Sequence, residues 1–151
     1  MSAPTIRTYE ARAETTRTFG RVLGSVRQHH FVIDGPVQNG CPGEAPTPGE
    51  LFLSAAAACG AEVVQVLARE AGIPLESVSV TVQGTIDRTR QPRTDVTVFT
   101  EVGLTLRLRV PDAAQAAELV AGFQRRCPVY GSLAVASGKV EVLYETEQEE
   151  R

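Results

Sequence analysis

The sequence predicts an α+β fold. Three observations carry that expectation: short Val/Thr-rich stretches with strand alternation, one long apolar helix in mid-chain, and two helical stretches that precede a last strand. The expected order is β-β-α-β-β-α-α-β in a single domain of 151 residues, a length that supports a sizeable core.

The N-terminal part, residues 1–34, reads as strands. Residues 6–16 are rich in Thr and Tyr, and residues 21–34 carry Val22, Val26, Phe31, Val32 and Ile33. Gly20 and Gly24 offer turn or bulge points. The stretch GPVQNGCPGEAP, residues 35–46, is punctuated by Gly and Pro and reads as a surface loop.

The central helix is expected over residues 47–71. Thr47 suits the N-cap, Pro48 suits the first helical position, and Glu50 completes a T-x-x-E capping box. Gly72 and Pro74 supply the stop. As far as Ala61 this helix is apolar nearly all round, so burial on every side is expected. Its second half is amphipathic, with Val63, Val64, Val66 and Leu67 opposite Glu62, Gln65, Arg69 and Glu70.

A ββααβ segment follows over residues 76–145. Val78, Val80 and Val82 alternate with polar residues, as do Val102, Leu104, Leu106, Leu108 and Val110. DRTRQPRTD between them reads as a polar hairpin end. Asp112 is the expected cap of a helix reaching about Arg125 that buries Leu119, Val120 and Phe123. Cys127-Pro128 opens a short helical turn through Ala136, and residues 139–145 form the last strand.

One sheet covers only one side of a fully apolar helix. The small residues from Ala55 to Ala61 permit close backbone approach, so the missing cover is expected from a second copy in a homodimer. A formal charge of −3 and a pI near 5.4 argue against a nucleic-acid partner. No stretch is expected to reach the roughly 20 apolar residues of a membrane span, and no secretory leader is seen, which points to the cytoplasm.

The cysteines, Cys41, Cys59 and Cys127, are odd in number and widely spaced, with no CxxC pair. That excludes a disulfide framework or a zinc ribbon and leaves inert or reactive thiols. Cys127 lies at a helix start with Arg125 and Arg126 beside it, which favours a thiolate. Cys59 lies mid-helix among apolar residues, which by itself makes a thiol inert, so reactivity there demands a cation from elsewhere. Cys41 reads as incidental. His29 and His30 point to opposite faces of a strand, a poor arrangement for metal, and neither a metal nor a cofactor is expected.

Two segments add up to a resemblance. GEAPTPGELFLSAAAACGAEV resembles the G-x-x-P-x-E-L-hydrophobic-small-C signature of the OsmC/Ohr family, the osmotically inducible and organic hydroperoxide resistance proteins, and RCPVYGSLAVA is similar to its CPV element. HHFVIDGP resembles the strand and aspartate before the Gly-rich loop of the OsmC-like branch. The resemblance implies an intertwined homodimer with long central helices wrapped by antiparallel sheets. It also implies a thiol peroxidase in oxidative-stress defence, with Cys59 as peroxidatic and Cys127 as resolving cysteine. A dithiol, of lipoyl type in some settings, would reduce their disulfide.

The same resemblance implies an arginine from the N-terminal hairpin as the cation for Cys59. Arg17 is the first candidate, then Arg21 and Arg27. It also implies a glutamate near the helix start. Hydroperoxide resistance members carry it directly after the proline, where this chain has Gly49, and Glu50 comes one place later. Nine helical positions separate Glu50 from Cys59, about 13.5 Å of rise and the opposite face. Glu50 therefore serves the site from a partner subunit, through a bend at Gly49, or only as a helix cap. The alternative to an enzyme is a redox-responsive or small-molecule-binding dimer with little turnover.

Overall fold

A computed structural model of the chain describes residues 6–137 and 140–146, and the chain divides into two compact units, Met1–Leu51 and Phe52–Arg151. The first unit holds three strands, β1 (Arg12–Thr15), β2 (Arg21–Val26) and β3 (His29–Asp34), antiparallel in the order β1-β2-β3. The long second strand expected from the sequence is thus a hairpin. It turns at Arg27, whose φ of 53° is left-handed, a conformation that Gly or Asn would have signalled and arginine does not. Gly20 is a turn residue as expected, at φ 75°, but Gly24 is not. Gly24 lies inside β2, where the Phe31 ring occupies the place of its absent side chain.

The hub of this unit is Asp34, fully buried and charged. Its carboxylate accepts from Arg21 Nε at 2.7 Å and Nη2 at 2.8 Å, and from the Glu44 and Ala45 N–H groups at 2.9 and 3.0 Å. Arg21 also reaches Glu44 at 2.7 Å. The Arg21 guanidinium holds Asp34 well below the usual carboxylate range, and the two backbone N–H groups act the same way. This network fixes the 35–46 loop where it returns toward the helix. The loop contains a 3-10 turn, Val37–Asn39. Cys41 is seated there against Gly20 and Gly35, since a side chain at either would begin 2.2 or 2.4 Å from its sulfur.

Helix α1 spans Pro48–Ala71. The capping box is formed: Glu50 accepts from the Thr47 N–H at 2.7 Å and hydroxyl at 2.9 Å, and the Glu50 N–H donates back at 3.3 Å. Gly72, at φ 66°, ends the helix, and the Ile73 N–H returns to the Ala68 carbonyl at 2.9 Å. Within the chain the helix buries one stripe, Ala56, Gly60, Val64 and Ala68, and leaves Phe52, Ala55 and Ala58 exposed. Burial on every side is therefore not met by this chain alone, because its sheet covers one side. The membrane expectation also needs correction. By length and composition α1 is apolar enough to cross a membrane, with mean hydropathy 1.8 in its best window, because alanine, cysteine and valine sum to what large residues would supply. A core helix meets the same test, and the buried stripe is a core feature.

The second unit carries β4 (Ser77–Thr85), β5 (Glu101–Arg109), α2 (Ala113–Arg126), α3 (Pro128–Ser137) and β6 (Val140–Thr146). The β4 and β5 strands pair antiparallel. Strand β6 pairs parallel with β5, because the α2–α3 crossover returns the chain to the same end of the sheet. Expected strand residue Lys139 and the Gly138 before it lie outside the described residues. Val102, Leu104, Leu106 and Leu108 of β5 all face inward and are buried, each burial contributing roughly 1.5–3 kcal/mol. They pack with the α1 stripe and with Leu119, Val120 and Phe123 of α2 in one core. The residues between β4 and β5 make a self-knit loop: Asp87 accepts from Thr89 and Arg90, and Gln91 bonds the Val98 backbone in both directions.

Candidate active site

Helix α2 begins on Asp112, whose carboxylate accepts the Gln115 N–H at 2.8 Å, and ends on Cys127, whose N–H donates to the Phe123 carbonyl at 2.9 Å. Proline at 128 has no N–H to continue that ladder but suits the first position of a new helix. Cys127 is thus the single hinge residue between α2 and α3. Its carbonyl accepts the Gly131 N–H at 2.9 Å, and its sulfur accepts the Tyr130 N–H at 3.4 Å, so the thiol caps α3. The short helical element expected from Cys127-Pro128 through Ala136 is a ten-residue helix, Pro128–Ser137.

This hinge brings Cys127 to Cys59. The Cys127 Sγ donates to Cys59 Sγ across 2.9 Å, and both thiols are free. Cys127 is buried, at 2% exposure, while Cys59 is partly open. Phe123, one turn before Cys127, belongs to the same core cluster as the two cysteines. It is fully buried, packs against Tyr130 with ring centroids 5.1 Å apart and planes tilted by 46°, and abuts Gly60.

Burial pushes the Cys59 thiol up to about 11; the neighbouring Cys127 thiol and the Glu62 carboxylate one turn along α1 push the same way. The Val129 N–H, in the first turn of α3, bonds the Cys59 sulfur and opposes them. The start of α3 therefore serves both sulfurs. Sequence reasoning assigned it to Cys127 alone; the missing fact was which way α3 faces.

Of the candidate cations, Arg21 is committed to Asp34 and Glu44. Arg17 lies exposed in the turn between β1 and β2, and Arg27 exposed in the next turn; neither has an ion-pair partner among the described residues. Glu50 is turned onto its own cap. Sequence reasoning missed the Arg126–Glu70 pair, which joins the end of α2 to the last turn of α1. His30 bonds Ser25 Oγ at 2.8 Å on the exposed sheet, and no group of residues suited to a metal occurs among the described residues. A cavity of about 550 Å³ is lined chiefly by Phe52, Val98, Phe99, Val102, Leu133 and Ala136. Phe52 precedes Cys59 by seven residues, which puts both on one face of α1 about 10.5 Å apart along its axis.

An α+β chain that seats two free cysteines in contact where two helices meet is, as a class, a dithiol protein. The profile of the OsmC-like protein family matches residues 41–142, well over half the chain, and the chain belongs to that family. The fold is shared with an OsmC-like protein from Mycoplasma pneumoniae, with TM-score 0.80 and 19% identity over 94% of this chain and 99% of that one. An organic hydroperoxide resistance protein from Elizabethkingia anophelis aligns with TM-score 0.74 and 19% identity over 97% and 100% of the two chains. A third, the organic hydroperoxide resistance protein OsmC from Legionella pneumophila, gives 0.65 and 24% over 96% and 100%. Comparison with curated proteins gives no match.

Proposed function

We propose that the protein is a cysteine-based peroxidase in peroxide defence, acting as a homodimer on organic hydroperoxides or hydrogen peroxide. The observation that carries this reading is the 2.9 Å approach of the free Cys59 and Cys127 sulfurs, with the more open one on α1. The Cys59 thiolate attacks the outer peroxide oxygen. The O–O bond breaks, the alkoxide takes a proton and leaves as alcohol, and Cys59 becomes a sulfenic acid. The Cys127 thiol then displaces that hydroxyl as water and forms the disulfide, which an external dithiol, of lipoyl type or another, reduces back to two thiols. Family membership and the names of the structural relatives support the peroxide class.

Arg17 is the proposed cation that lowers the Cys59 pKa, a need made explicit by the upward push of burial on that thiol. Glu50 is proposed to serve mainly through its cap, and to reach a site only across the dimer. A second copy would also cover the exposed Phe52, Ala55 and Ala58 face of α1. The apolar cavity beside Phe52 and Phe99 favours organic peroxides over hydrogen peroxide. The test is dithiol-dependent consumption of cumene hydroperoxide by wild type and Cys59→Ser. Rapid consumption lost in the variant is expected; equal, near-background rates would sink the reading.

One observation favours a second reading. A Cys59 thiol pushed up to about 11 is mostly protonated at neutral pH, which suits a slow redox-responsive dimer that forms the disulfide without sustained turnover.

A further inference from the structure

The exposed ion pair between Arg126 and Glu70 lies outside the chemistry described above, yet Arg126 immediately precedes the hinge cysteine. Arg126 is the last residue of α2 and Glu70 stands in the last turn of α1, so the pair ties together the two helices that carry the two sulfurs. It is two-pronged: Arg126 Nη1 meets Glu70 Oε2, and Nη2 donates to Oε1 at 3.2 Å. On the inner side the same helices are held by apolar packing of Phe123 against Gly60. Cys127 is the one non-helical residue between Arg126, the last of α2, and Pro128, the first of α3. Its sulfur is therefore placed by where α2 ends and α3 begins.

We propose that Arg126 and Glu70 are positioning residues that hold the resolving thiol of Cys127 against Cys59. The proposal rests on the peroxidase reading, and it concerns the step after peroxide attack. A Cys59 sulfenate has two fates. It condenses with the Cys127 thiol, losing water and forming the disulfide, or it takes an oxygen from a second peroxide, releasing alcohol and becoming sulfinic. The first fate depends on the placement of Cys127 and the second does not. Loosening the end of α2 shifts the partition toward sulfinic acid without touching either sulfur. The Glu62 carboxylate, one turn beyond Cys59, also acts on Arg126, but only through its charge and with no ion pair of its own among the described residues. With side chains 48% and 53% exposed, the pair is screened by salt and its loss changes an equilibrium by up to about fivefold.

The partition is read by mass spectrometry on reduced Cys41→Ser protein treated with rising cumene hydroperoxide, as the ratio of Cys59 sulfinic acid to Cys59–Cys127 disulfide. Glu70→Gln is expected to raise that ratio about threefold to fivefold at low salt, with Arg126→Lys in between. High salt is expected to raise the ratio of the otherwise wild-type chain toward that of Glu70→Gln and to leave Glu70→Gln unmoved. A surface pair with only a general structural role would not give that salt dependence. An unchanged ratio in Glu70→Gln with no salt response overturns the positioning role and leaves the peroxidase reading standing. Absence of any disulfide in the parent overturns both.

Discussion

Replacing Gly60 by alanine adds one methyl group next to Cys59, and its effect follows from three distances. The new Cβ would lie 3.4 Å from Phe123 Cε2 and 3.4 Å from both Val80 methyl carbons, at the near limit of ordinary contact. Gly60 is a helical residue with no left-handed φ to protect. Alanine gains about 1 kcal/mol of helix propensity and about 0.8 kcal/mol from burying a methyl group. Easing the two neighbouring side chains, Phe123 and Val80, by a few tenths of an ångström costs up to about 1 kcal/mol. The net is a stabilisation of about 0.8–1.8 kcal/mol. For a chain of this size that raises the melting temperature by roughly 2–4 °C per kcal/mol. Thermal unfolding of the reduced protein followed by far-UV circular dichroism reads it directly. A loss exceeding about 1 kcal/mol would refute the reasoning, because it would mean that something other than this chain's own Phe123 and Val80 needs the space at Gly60.

Three further outcomes follow from the site. Phe99→Ala removes the ring stacked at 5.7 Å on Phe52 and opens the apolar cavity; KM for cumene hydroperoxide is expected to rise about tenfold while hydrogen peroxide turnover stays unchanged, and a parallel loss for both would contradict a tail-binding wall. Arg17→Ala is expected to shift the pH midpoint of Cys59 alkylation upward, toward the value near 11 that burial imposes, and to slow alkylation at pH 7 at least tenfold; an unmoved midpoint removes Arg17 from the site. Asp34 has a depressed pKa when folded, so the unfolded chain takes up its proton first. Its stabilisation is complete above the unfolded value of about 3.9 and is lost as pH falls toward the folded one. Asp34→Asn should therefore be less stable at neutral pH and lose stability less steeply between about pH 5 and 2; identical acid slopes would contradict the assignment.

Much of the fold was legible because local chemistry and tertiary structure agree there. The α1 boundaries follow from Thr47, Glu50 and Gly72, and the alternation of β5 names its buried face without help from the rest of the chain. The turn at Arg27 was hidden because an arginine in the left-handed region carries no compositional mark. Burial of α1 was overread because an apolar surface records that it needs cover, not which chain provides it. At the site, local reasoning identified both thiols but misjudged their setting. Cys59 looked remote from any helix terminus along the sequence, while the hinge at Cys127-Pro128 turns α3 so that its Val129 N–H faces that sulfur. Pairs such as Arg21–Asp34 and Arg126–Glu70 join residues 13 and 56 positions apart, and nothing in their spacing announces them.

The most direct test of the dithiol account is to add one equivalent of cumene hydroperoxide to the fully reduced protein and map the thiols by peptide mass spectrometry. The account predicts loss of two hydrogens, a peptide cross-linked through Cys59 and Cys127, and Cys41 still alkylatable. Recovery of Cys59 and Cys127 as unoxidised thiols, or a cross-link through Cys41 instead, would contradict it.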